Sequence, residues 1–199
     1  MSKLNPRMVA LVLVNVQNDF AKEKGVMSNQ MHNGEEAMTK IVQVVTACRK
    51  AGVMIVHAPQ DSLEFYKPVN HGAVVGNIKI LQDNKALLPE SWGVKICEDV
   101  LSESDVVVKG KKGMDAFASL NLLNVLQEKE IRTVVVCGFT ANGGVYSTAC
   151  SAYNKGFEVY TIADCSAAES AAAHKASINL LSKVSKISTA TQFMGQFSL

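Results

Sequence analysis

The segment RTVVVCGFTANGGVYSTACSA, residues 132–152, decides how this chain folds. It opens as a short, β-branched, apolar run, RTVVVCG (132–138), the pattern of a strand buried on both faces. From about 142 to 154 the residues read as a helix that stops at Gly156, a residue suited to a helix C-terminus. A strand feeding a helix through a tight turn aims backbone N–H groups at whatever lies beyond the strand. Such turns usually hold an anion or activate a nucleophile. Here Gly143 and Gly144 stand where a reactive side chain is expected, so the turn itself offers only backbone donors.

The same alternation recurs on both sides. MVALVLVNV (8–16) is a continuous apolar strand, and 34–51 places Met38, Ile41, Val44, Val45 and Cys48 on one helical face. VMIVHAP (53–59) is a second strand ended by Pro59. Residues 60–104 read as loops with one short helix or turn near Trp92. DVVVKG (105–110) is the third strand, and 115–128 a helix with Phe117, Leu120, Leu123 and Leu126 inward. FEVYTIAD (157–164), an Ala-rich helix at 167–183 and VSKISTA (184–190) complete the series. This pattern predicts an α/β protein, three-layer α/β/α, with a mostly parallel six-stranded sheet. No linker or repeat interrupts it, so residues 1–199 are read as a single domain. Ligands of such sheets sit beyond the carboxyl ends of the strands, where strand order reverses. Segments 15–20, 109–115 and 138–144 end there.

Composition narrows the function. A net charge of +2 over 199 residues, with clusters no longer than KGKK (109–112), argues against nucleic-acid or membrane-surface partners. Five cysteines without a CxxC pair fit reduced thiols in a cytoplasmic compartment. No apolar run reaches membrane-spanning length. No cofactor is implied.

Taken together, ALVLVNVQNDF, MIVHAP, GKKGMDAFASLNL, VVVCGFTANGGVYSTA, GFEVYTIADCSAA and the later His174 resemble the isochorismatase-like hydrolase family. That family includes nicotinamidases, carbamoylsarcosine-type amidases and isochorismatases, and the resemblance spans roughly residues 8–195. It implies a Rossmann-like hydrolase fold whose cysteine hydrolases carry Asp after strand one, Lys after strand three and Cys at the helix after strand four. It further implies a non-proline cis bond between Phe139 and Thr140, with the N–H groups of Thr140 and Gly144 as an anion hole, and a tendency to self-associate. This chain departs from the pattern twice. Asn15 fills the aspartate position and Gly144 the cysteine position; only the lysine remains, and the spacing to Phe117 favours Lys111 over Lys109. Isochorismatases proper resemble this chain in having glycine there, but their vinyl-ether chemistry needs the strand-one acid. A side-chain amide cannot donate and recover a proton near neutral pH.

Substitutes for the missing groups are few. Cys150 lies six residues past Gly144, on another side of the helix; Cys137 sits within a strand; Asp19 begins the next loop. His57 and His71 lack the spacing and the aspartate of a metal site and read as structural or solvent histidines, with His32 unpartnered and His174 packing or capping. Trp92, Phe65 and Tyr66 mark a loop region that could meet a neighbouring copy. The inventory predicts an impaired site whose lysine and helix-terminal N–H groups favour a small molecule with a carboxylate. The alternative is a hydrolase acting on a small carboxylate, C–N or vinyl-ether substrate, with Asn15 an introduced change or another group standing in.

Overall fold

In a computed structural model, residues 3–67, 75–111 and 113–197 are described. Six strands form one sheet: β1 (Val9–Val14), β2 (Met54–Ala58), β3 (Val106–Val107), β4 (Thr133–Phe139), β5 (Glu158–Ala167) and β6 (Lys186–Ser188). Their order is β3-β2-β1-β4-β5-β6, and every neighbouring pair is parallel. The helices are α1 (Asn18–Ala21), α2 (Gly34–Ala51), α3 (Ser62–Phe65), α4 (Gly76–Asp83), α5 (Leu122–Glu128), α6 (Tyr146–Asn154), α7 (Ala171–Leu181) and α8 (Ala190–Met194).

The central strand β1 shows why three layers form. All six of its residues are buried, and successive side chains point to opposite faces. Val9, Leu11 and Leu13 join a core containing Ile41, Val44 and Val45 of α2 and Phe193 of α8. Ala10, Val12 and Val14 join a second core containing Leu122 and Leu126 of α5 and Ala149 of α6. The expected apolar face of α2 is buried throughout. Glu35 and Glu36 begin the helix and Arg49 and Lys50 end it, matching its dipole, and Gly52 closes it at φ +78°.

Strand order reverses between β1 and β4, which are hydrogen-bonded neighbours. The chain leaves β1 into Asn15 and leaves β4 into Thr140, so the two positions lie side by side above the sheet. Close approach here needs Gly138: its φ is +121°, and a Cβ on it would stand 2.1 Å from the Val14 carbonyl oxygen. The Phe139–Thr140 peptide bond is cis.

Several element boundaries differ from the sequence reading. The third strand pairs only over Val106–Val107, at the sheet edge. The expected helix at 115–128 starts at Leu122. It is preceded by a 3-10 turn at Ala116–Ala118, where the Asp115 side chain accepts from the Phe117 N–H. Leu126 is buried as expected and Leu122 joins it, whereas Leu120 is 79 % exposed rather than inward. Strand β5 runs on to Ala167, so the next helix begins at Ala171. The last strand is confined to Lys186–Ser188. Between 60 and 104 the chain forms α3, α4 and a 3-10 turn at Glu98–Val100. Trp92 lies among turns, half-exposed.

Candidate functional site

Asn15 takes the first position after β1 with φ +52°, a left-handed conformation that asparagine tolerates better than most residues. Its N–H donates to the Ala58 carbonyl at 3.2 Å, and its own carbonyl accepts from Gln17 N–H at 2.8 Å. These bonds fix the backbone and turn the side chain beyond the sheet. There the Lys111 ammonium donates to Asn15 Oδ1 at 2.7 Å and to Gln60 Oε1 at 2.8 Å. Lys111 is fully buried, whereas Lys109 is exposed. The lysine loop is tied down by Asp61, whose N–H donates to the Lys111 carbonyl and whose carboxylate accepts from Gly110 N–H.

Among the described residues no carboxylate is hydrogen-bonded to this ammonium, which is buried between two neutral amides. Burial therefore drags the Lys111 pKa from the ordinary lysine range down to about 7, with the charge of Asp115 opposing the shift. Because an ammonium only donates, the amide oxygens of Asn15 and Gln60 must face it, which turns both NH2 groups the other way. Gln60 Nε2 is buried and lacks a hydrogen-bond partner among the described residues. Gln60 cannot swing out, because its N–H and carbonyl are both bonded to the side chain of the buried Gln17. The sequence reading missed Gln60. The signal was its place directly beyond β2, next to β1 at the same end of the sheet.

A cavity of about 230 Å³ opens over these groups. Asn15, Gln60, Thr140 and Gly144 contribute to its floor side, and Phe20, Met31, Ile78 and Leu81 supply apolar wall. Lys111 is not among the lining residues; its charge acts through the two amides in front of it. The turn after β4 is a single π-helical turn, Ala141–Val145, leading straight into α6, and the Thr140 carbonyl accepts from the N–H groups of Gly143 and Val145. Gly144 is buried, and a Cβ there would sit 2.7 Å from Val14 Cγ1. The local packing has closed around a glycine.

None of the substitute groups lines this cavity. The Asp19 carboxylate is buried and accepts from the N–H groups of Leu87 (2.6 Å) and Val26 (3.3 Å), a structural task. Cys137 and Cys165 are buried with thiol pKa values pushed well up by desolvation, and those of Cys48 and Cys97 rise to about 12. Cys150 lies on α6, half-buried.

The histidines are occupied elsewhere. His57 Nε2 lies 2.9 Å from Asp105 Oδ2; burial lowers its pKa against the pull of that carboxylate. His174 Nε2 pairs with the Ala163 carbonyl at 3.1 Å. His32 is exposed and bridges to Ala168 through its backbone; His71 lies outside the described residues. Among the described residues no group of three or more His, Cys, Asp or Glu side chains could hold a metal ion, and no helix is long and apolar enough to cross a membrane.

Comparison with known proteins agrees with this fold. The isochorismatase domain profile matches residues 9–192. The isochorismatase family protein YecD of Escherichia coli O157:H7 is 28% identical over 184 residues, covering 90% of each chain. A probable inactive nicotinamidase of Arabidopsis thaliana is 23% identical over 181 residues, covering 86% of this chain and 87% of its own. Among solved structures, a cysteine hydrolase from Pseudomonas syringae pv. phaseolicola 1448A superposes with a TM-score of 0.82 at 18% identity, over 99% of this chain and 95% of that one.

Proposed function

Since the chain belongs to the isochorismatase family, we propose that it is a hydrolytically impaired member whose pocket binds a small carboxylate. The observation that carries this reading is the 2.7 Å bond from Lys111 Nζ to Asn15 Oδ1. An amide stands where the family resemblance implies a carboxylate, and an amide neither accepts nor delivers a proton near neutral pH. Gly144 supplies no nucleophile, and the buried thiols are held protonated away from the cavity. The match to a relative named a probable inactive nicotinamidase supports the same direction.

What survives is recognition. A buried cation whose only described side-chain partners are two neutral amides favours an anion in front of them. The two NH2 groups turned from the ammonium, together with backbone donors at Thr140 and Gly144, complement carboxylate oxygens. The single turn of π-helix that carries Gly144 is the kind of irregularity often found at ligand sites.

The test is to assay the unaltered protein with isochorismate and with nicotinamide while following intact mass for a covalent adduct. Neither turnover nor adduct is expected, from this protein or from Asn15→Asp. Hydrolysis by the unaltered protein overturns the reading. Hydrolysis that appears with Asn15→Asp alone favours the alternative, a hydrolase carrying a change at that one position.

A further inference from the structure

The cavity is lined by two buried amides, Asn15 and Gln60, which carry the Lys111 charge behind them, and by an exposed carboxylate, Glu169. Glu169, two residues past the end of β5, lines the cavity, as does Asn142 on the turn after β4. The Asn142 side-chain nitrogen donates to both carboxylate oxygens of Glu169, at 3.0 and 2.8 Å. A glutamate at an exposed position normally samples many rotamers. This one is clamped across the site by an amide from the neighbouring strand end, and each of its oxygens keeps a further lone pair for a ligand. Apolar walls of Phe20, Met31, Ile78 and Leu81 complete the cavity between the lysine-backed amides and this carboxylate.

We propose that Glu169 is a specificity-determining residue that selects ligands bearing a cationic group at the end remote from their carboxylate, with Asn142 as its positioning residue. The ligand class is then a small zwitterion with an apolar spacer. A dicarboxylate is disfavoured, because its second charge meets Glu169 in a cavity whose apolar walls screen poorly. This assignment rests on the carboxylate-binding reading above and adds the chemistry of the ligand's other end.

Calorimetric titration with three single-ring probes separates the two ideas. The probes are 4-methylbenzoate, 4-(aminomethyl)benzoate and terephthalate. The unaltered protein is expected to bind the aminomethyl compound about fivefold more tightly than the methyl compound at low salt, and terephthalate more weakly than either. Raising the ionic strength should shrink that preference. In Glu169→Gln the preference collapses to about one. Asn142→Ala should lose part of the preference, and Asn142→Asp all of it. If no probe binds the unaltered protein, the carboxylate-binding reading itself fails. If 4-methylbenzoate binds but the aminomethyl compound gains nothing, or Glu169→Gln keeps the gain, the assignment of Glu169 is wrong and the broader reading stands.

Discussion

Asp105 stands just before β3 and Lys111 shortly after it, and each is the centre of a buried or half-buried polar cluster. Around Asp105 the charges are balanced. Its carboxylate accepts from Arg49, from Ser102 N–H at 3.0 Å and from His57, and Arg49 also donates to the Val100 carbonyl at 2.6 Å. Burial raises the Asp105 pKa, but Arg49 and His57 outweigh it and hold the group below the usual carboxylate range. Around Lys111, among the described residues, nothing of opposite charge is hydrogen-bonded; its partners are amides, and one of those amides keeps a buried donor unpaired. His57 Nδ1 also lacks a partner among the described residues, but His57 does not line the cavity. The difference teaches how to separate a structural cluster from a binding one. Among the described residues, the first cluster pairs its charge with an opposite one, whereas the second bonds its charge only to neutral amides, and those amides line a cavity.

The comparison breaks first under substitution of Asp105. Asp105→Ala strands Arg49 and His57, and removing one partner of a buried charge cluster typically costs about 3–5 kcal/mol. Urea unfolding should show that loss, while 4-methylbenzoate affinity stays near its original value in protein that remains folded. A large loss of affinity at unchanged stability would mean that the clusters are not separate in function.

Lys111→Met probes the other cluster with a smaller and pH-dependent effect. The folded pKa of Lys111, about 7, lies below its unfolded value, so in the window between them the unfolded chain binds more protons. Stability from this group therefore rises with pH through that window, at a limiting slope of about 1.4 kcal/mol per pH unit. Every other ionisable side chain is common to both proteins, so the difference between them isolates Lys111. The unfolding free energy of the unaltered protein minus that of Lys111→Met should climb from about pH 7 to pH 9. A flat difference would place a normal, solvated lysine at this position.

Much of the fold was legible because its central strands β1 and β4 are buried on both faces. Runs such as LVLV and VVV have one good destination, and the face of α2 repeated with helical spacing. The errors have local causes. The 115–128 periodicity concealed a turn capped by Asp115, in which Leu120 N–H donates to the Lys109 carbonyl. The Leu120 side chain lies over Gly110, where a Cβ would come within 2.6 Å of its Cγ, instead of entering the core. The short β3 is an edge strand with one partner, so little beyond two residues needs to pair. At the site, Asn15, Lys111 and Gly144 stood out because each follows a strand in a familiar order. Gln60 and Glu169 follow strands too, but their partners lie 51 and 27 residues away, and no spacing in the sequence announces such contacts.

On the proposed reading, the Lys111 charge, set behind Asn15 and Gln60, meets an anion in the cavity. The charge of Asp115 already raises the Lys111 pKa against the effect of burial. A bound carboxylate must therefore raise the lysine's pKa and draw a proton from solution. Titrating 4-methylbenzoate at about pH 8 in buffers of different ionisation enthalpy measures that proton directly. The account predicts uptake of a substantial fraction of one proton in the unaltered protein and none in Lys111→Met. Binding with no proton uptake, or equal uptake in both proteins, would contradict it.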